Sequence, residues 1–314
     1  MPSTAKVMRN APLYTTSDTL TTDTLIKFAA RSDLGFNFEY LVYLPKGLSL
    51  KQTTRLLVET NNSGANDSME YQEKGARYSA AKSSVGNYVS RKLKLPLLVP
   101  IFPRSETNWM YYTHALDRDA LLCKDFGIER LDQQLLAMIS DAKKQLVKAE
   151  VRLKDRFFIT GFSASGTFAN RFSLLHPENV QATASGGINA IAILPVTELQ
   201  GKPLKYPLGI ADLYEITGKT ANLQAFQKLP KLLYMGEKDE NDAAAFDDAY
   251  SEEERALIYG LMGKQMIPHR WEFMRQVYQS SQVEADFRTY PNMGHRTDLK
   301  INNDLVDFFK KHLN

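Results

Sequence analysis

The chain has 314 residues, long enough for one large α/β domain, which is preferred over the two that length alone would suggest, and with 43% hydrophobic and 24% charged residues its composition supports a buried core and excludes wholesale disorder. Lys and Arg number 39 against 36 Asp and Glu, and the small excess is scattered, so no basic patch marks a nucleic-acid partner. The single cysteine, Cys123, rules out an intrachain disulfide and a zinc site built mainly of thiolates, and a free thiol suits a reducing compartment.

Residues 1–20 are rich in Ser and Thr and lack the apolar stretch of a signal peptide, and they read as an extension ahead of a single domain over residues 21–314. No later run is long enough to span a bilayer. A cytoplasmic protein is expected, although a trimmed secretion signal replaced by Met1 would leave the same sequence. "TLIKFAAR" (from Thr24) and "FNFEYLVYLP" (Phe36 to Pro45) read as paired antiparallel lead-in strands. Short continuous apolar runs follow: "RLLVET" at Arg55, "LPLLVPIF" at Leu95, "RFFIT" at Arg156, "VQATASGG" at Val180 and "KLLYMG" at Lys231. Such runs, separated by helical stretches, predict strands buried on both faces of a doubly wound, mostly parallel sheet.

Leu131, Leu135, Ile139, Ala142 and Leu146 form one stripe of a helix over about Ile128 to Ala149. A second helix is expected after Ser165, stopped by His176-Pro177, and two more near Glu252 to Met262 and Arg270 to Ser280. A last strand, "EADFRTYP", and a C-terminal helix, "DLVDFFKKHL", complete the pattern. Residues 188–229, rich in Pro, Gly and Tyr, form an excursion of the kind that caps strand ends.

The segment "RFFITGFSASGTFANRF" sets Ser163 between a strand and a helix, with Gly161 two residues before and Ser165 two after. A tight strand-to-helix turn lifts its apical hydroxyl clear of the sheet, provided that small residues flank it. The usual spacing is G-x-S-x-G. Ser165 stands where the second glycine is expected, Gly166 comes one place late, and a slightly splayed turn would follow. The motif alone fits equally an N-cap serine with a polar first turn. Asp239 lies just beyond the strand "KLLYMG" and His295, preceded by Gly294, just beyond the last strand. The chain order Ser, Asp, His is that of a hydrolytic triad meeting at the carboxyl edge of one sheet. Asp242 competes with Asp239, and the three-residue interval from Gly236 favours Asp239. His114, His176, His269 and His312 fit helix ends or surface positions.

From about Leu34 onward, "DRFFITGFSASGTFANRFSLLHP", "LLYMGEKDENDA" and "YPNMGHR" resemble bacterial α/β-hydrolase esterases in the style of polyhydroxybutyrate depolymerases, feruloyl esterases and dienelactone hydrolases. The resemblance implies an α/β-hydrolase fold and cleavage of a small-molecule carboxylic ester through an acyl-enzyme, with no cofactor. It implies Ser163 as nucleophile, His295 as general base and Asp239 as the residue that orients the imidazole. The oxyanion donors it implies are the backbone N–H of Ala164 and one from "ETNNSGAND", for which Asn62 is the choice and Asn61 and Ser63 are alternatives. That loop departs from the His-Gly often found there, and an ordinary turn explains it as well.

Trp109, Tyr111 and Tyr112 follow "LLVPIF" and are candidates for apolar substrate walls, although core packing is the commoner fate of such residues. Arg104 is a candidate for binding a substrate carboxylate, against the commoner surface ion pair. The acidic run from Glu237 to Glu254 lacks the glycine and alternation of a calcium loop, and no metal is assigned. A serine peptidase of the prolyl-oligopeptidase type and a non-catalytic binding protein on the same fold are the alternatives. Nothing in the sequence marks an oligomer.

Overall fold

The architecture follows from the parity of side chains along the apolar runs. In Tyr40–Leu44 all five residues are buried, with Tyr40, Val42 and Leu44 in one apolar layer and Leu41 and Tyr43 in another. Successive side chains of a strand leave opposite faces, so a run that is apolar throughout must be covered twice. Leu97 and Val99 oppose Leu98 in the same way, and Leu232 and Tyr234 oppose Leu233 and Met235. Each fully buried side chain of this size contributes about 1.5–3 kcal/mol.

The computed structural model describes residues 15–314 except residue 17, and of residues 15 and 16 only the backbone. The expected extension over residues 1–20 therefore lies largely outside the described residues. Its end pairs β1 (Thr15–Thr16) with β2 (Thr19–Leu20), and Leu20 is buried in the core. The main strands are β3 (Thr24–Phe28), β4 (Tyr40–Leu44), β5 (Leu57–Glu59), β6 (Leu97–Pro100), β7 (Phe157–Phe162) and β8 (Val180–Gly186). A two-strand excursion, β9 (Glu198–Leu199) and β10 (Lys202–Pro203), precedes β11 (Lys231–Gly236) and β12 (Ala285–Tyr290). The eight-stranded sheet has the order β12-β11-β8-β7-β5-β6-β4-β3. β4 runs antiparallel to both its neighbours, and all other pairings are parallel.

The helices are α1 (Met69–Ala81), α2 (Val85–Leu93), α3 (Arg118–Leu122), α4 (Leu131–Lys148), α5 (Ala164–Leu175), α6 (Leu213–Thr217), α7 (Leu223–Lys228), α8 (Glu252–Met262), α9 (Trp271–Ser280) and α10 (Leu299–Lys311). Buried residues of α1, α2 and α10 fill one apolar layer, and those of α3 to α9 fill the other. None of the described helices is long and apolar enough to cross a membrane. The 188–229 excursion belongs largely to the larger layer: Ile188, Ile191, Ile193, Leu204, Tyr206 and Phe226 are fully buried there. Because every parallel strand points the same way, the loops after β5, β6, β7, β8, β11 and β12 converge on one edge of the sheet.

Glu59 is one of the buried polar groups that respond to pH. Glu59 on β5 is 4% exposed, and its Oε2 accepts from the Ser84 hydroxyl at 2.5 Å and from the Gly86 N–H at 2.9 Å, at the start of α2. Burial pushes its carboxyl up to about 7 against the two hydrogen bonds, which pull the other way. A raised folded-state pKa contributes stability below the unfolded value and loses it as pH rises through 7. Glu59→Gln keeps an acceptor oxygen without a charge to desolvate. It is expected to raise stability by about 1–3 kcal/mol near pH 8.5 and to lose that advantage near pH 5. Thermal unfolding across this range checks it, and a pH-independent difference would contradict the assignment.

Candidate active site

At the end of β7 the chain reverses sharply into α5, with Ser163 at the apex in a backbone conformation of φ 63° and ψ −130°. A non-glycine residue held there costs about 1–3 kcal/mol and persists only where its surroundings fix it. The Ser163 N–H donates to the Gly186 carbonyl at 2.9 Å, and the Ser163 carbonyl accepts from the Thr167 N–H at 3.0 Å. A Cβ on Gly161 would lie 2.3 Å from the Ser165 carbonyl carbon, so only glycine lets the strand pass this close to the helix.

Ser165 takes part in the turn itself. Its buried Oγ accepts from the Phe162 N–H at 3.0 Å and donates to the Phe162 carbonyl at 2.9 Å, closing the turn on itself. Gly166 carries the tight packing instead, since a Cβ there would lie 2.3 Å from the Gly186 carbonyl oxygen of β8.

The loop after β12 brings His295 to the loop after β11. Its Nδ1 lies 3.0 and 2.9 Å from the two carboxylate oxygens of Asp239, whose side chain is 1% exposed. Asp239 also accepts the Asn241 backbone N–H at 3.0 Å, so this buried carboxylate has its partners. In the tautomer with Nδ1–H donating to Asp239, Nε2 carries a lone pair, which faces the Asn241 side-chain Nδ2 at 3.1 Å. The Phe162 ring flanks the imidazole, centroids 4.8 Å apart. Asp242 is turned elsewhere: it caps the turn at Ala244 and pairs with the fully buried Arg270.

Ser163 and His295 line one cleft of about 650 Å³ with Trp109, Tyr112, Asn189 and Asn241, and with Ala243, Phe246, Asp247 and Asp248 on a further wall. The size suits a small organic substrate. Trp109 and Phe246 leave half or more of their surface exposed. Tyr111 is not among the lining residues and packs against Phe126, centroids 5.9 Å apart. Asn189 is the contribution of the 188–229 excursion to this lining.

Other expected residues fall differently. Arg104 is not free for a substrate carboxylate: its nearly buried side chain pairs with Asp248 at 2.6 Å, donates to the carbonyls of Trp109 and Tyr111, and stacks over Tyr112 at 4.2 Å. Ala164 is buried as the first residue of α5, where a helix leaves its N–H groups without intrahelical acceptors. Asn62 is exposed beside the same turn, its Nδ2 3.5 Å from the Phe162 carbonyl. Asn61 is consumed by Phe102 and His114. His114 is wholly buried rather than superficial, and burial holds its imidazole down near 4. His176 is also buried, bonded to Asp132 at 2.8 Å. Sequence reasoning missed Asn189, Asn241, Phe246 and Asp248. Asn189 and Asn241 each follow the carboxyl end of a parallel strand, which is the signal that would have found them.

No protein-family model and no curated protein sequence matches the chain. Among solved structures it is similar to poly(aspartic acid) hydrolase-1 from Sphingomonas sp. KT-1, at 16% identity and a TM-score of 0.56 over 93% of this chain and 98% of that one. The poly(3-hydroxybutyrate) depolymerase of Bordetella parapertussis is similar at 17% identity and a TM-score of 0.54, over 94% of this chain and 92% of that one. An S-formylglutathione hydrolase from Agrobacterium tumefaciens follows at 14% identity and a TM-score of 0.50, over 95% and 96%. The chain therefore has the α/β-hydrolase fold, with the strand order and the single antiparallel strand described above.

The Ser165 hydroxyl makes a measurable demand. Ser165→Ala removes the Oγ that bonds both the Phe162 N–H and its carbonyl and is expected to cost about 1–3 kcal/mol, and Ser165→Gly about 0.5–1 kcal/mol more. Urea unfolding measures both, and an unchanged midpoint in Ser165→Gly would show that the hydroxyl does not hold the turn.

Proposed function

We propose that the protein is a serine hydrolase acting on carboxylic esters of small molecules through an acyl-enzyme. The observation that carries this reading is the pairing of His295 with buried Asp239 in the same cleft as Ser163, on a turn that projects the hydroxyl. Fold likeness to proteins named as hydrolases adds support.

In this reading Ser163 Oγ attacks the ester carbonyl carbon while His295 Nε2 takes its proton. The tetrahedral oxyanion is stabilised by the Ala164 N–H and by a second donor from the loop after β5, for which Asn62 is the candidate. Asp239 keeps the ring proton on Nδ1 and stabilises the imidazolium that forms. Collapse expels the alcohol, which takes the proton from Nε2. Water, activated by the same nitrogen, then releases the acid and restores Ser163. Trp109, Tyr112 and Phe246 supply apolar surface for the acyl or alcohol part.

A fluorophosphonate probe is expected to label the protein at Ser163 and to leave Ser163→Ala unlabelled; a folded parent that resists the probe would exclude the reading. The two aspartates separate by their effects. Asp239→Asn is expected to lower kcat/KM on p-nitrophenyl butyrate by roughly 10²–10⁴-fold. Asp242→Asn strands the buried Arg270 and should lower the unfolding midpoint while leaving kcat within a few-fold. Aminoacyl amides assayed beside the esters test the peptidase alternative, which predicts faster turnover of the amides.

A further inference from the structure

We infer that Asn241 is a substrate-displaced latch on His295: a positioning residue whose amide occupies the imidazole nitrogen that must receive the serine proton. The inference rests on the hydrolase reading above.

Three bonds hold Asn241, one at its backbone and two at its carboxamide. Its backbone N–H is held by Asp239 at 3.0 Å, and its side-chain Nδ2 lies 3.2 Å from Asn189 Oδ1 and 3.1 Å from His295 Nε2. The chemistry of each contact fixes its direction. Asp239 takes the Nδ1 proton, so Nε2 offers only a lone pair, and one amide hydrogen of Asn241 is the matching donor. The other amide hydrogen goes to Asn189, and turning the oxygen toward the imidazole would lose the bond to Nε2.

Asn189 is a firm anchor. It is 5% exposed, its N–H donates to Thr167 Oγ1 at 3.1 Å, and its carbonyl accepts from the Tyr250 hydroxyl at 3.2 Å. Thr167 lies on α5, one turn beyond Ser163, which ties the latch to the helix that carries the nucleophile.

A lone pair that already accepts a hydrogen from Asn241 cannot accept the Ser163 proton. The two contacts are therefore alternatives, and proton transfer requires the amide to leave. Asn241 is exposed, so its departure costs no more than the two modest hydrogen bonds its amide gives up, to His295 and Asn189. The amide hydrogen bond holds the imidazole in the tautomer whose Nε2 lone pair faces the pocket. An entering substrate occupies the space beside Asn241 and frees Nε2 when the carbonyl is in place.

The test uses the full-length chain and a small fluorophosphonate, which fills too little of the cleft to displace the amide by contact. Asn241→Leu and Asn241→Ala, neither of which can donate, should be labelled faster than the parent by roughly two- to tenfold. The ¹⁵N resonance of His295 Nε2 should move toward that of an imidazole lone pair with no donor on it. Agreement between the two variants separates loss of the donor from a change of bulk. Labelling at the parental rate or slower, with the Nε2 resonance unchanged, would overturn the latch. A parent that is not labelled at all would overturn the hydrolase reading instead, and the Nε2 resonance would still decide whether the amide holds the ring.

Discussion

The site depends on a backbone constraint: Ser163 is held in a strained, positive-φ conformation between a buried strand and a buried helix. Nothing in serine favours that geometry, so it has to be imposed. The Gly186 carbonyl fixes the Ser163 N–H from β8, Gly161 admits the helix, and Ser165 ties the turn to Phe162. The remaining parts of the cleft are arranged around the position this turn defines. Phe162, the residue before the apex, supports the His295 ring, and Thr167, on the first turn of the helix, holds Asn189.

The sheet then does for distance what the turn does for direction. Asp239 and His295 are 56 residues apart, yet they follow adjacent parallel strands, β11 and β12, and meet at hydrogen-bonding distance. Asn189 follows β8, next to both β7 and β11. Residues on one carboxyl edge need only short loops to converge, which is why the chemistry of the proposed reaction lies there. The wall that limits the cleft comes instead from the loop after β6 and from residues 243–248, joined by the Arg104–Asp248 pair. That pair is nearly buried on the arginine side, and its guanidinium bonds Asp248 and the carbonyls of Trp109 and Tyr111, so it builds the wall rather than reading a substrate charge.

The inner sheet strands were legible because burial on both faces leaves a short apolar run, whereas the edge strands β3 and β12, only partly buried, were read from β-branched and aromatic residues and from their place in the pattern. Helix α8 was legible to the residue, and α4 and α9 to within a few residues, from stripes and stops of equally local origin. The strand-turn-helix setting of Ser163 and the order of Asp239 and His295 could likewise be read in short segments. The preference for Asp239 over Asp242 rested only on spacing. In the structure the two carboxylates have different partners: one meets His295 and the other the buried Arg270.

The sequence by itself marked the main strands, the doubly wound sheet and Ser163, Asp239 and His295 as the candidates for the proposed chemistry, because each is encoded within a few neighbouring residues. Only the tertiary structure decided that Ser165 closes the turn, that Arg104 is spent on Asp248, that His114 is buried and that Asn241 sits on His295. Partners such as Arg104 and Asp248 are 144 residues apart, and Asn241 and His295 are 54 apart. Which of many such polar side chains meet is set by how the layers pack, and no local periodicity records it.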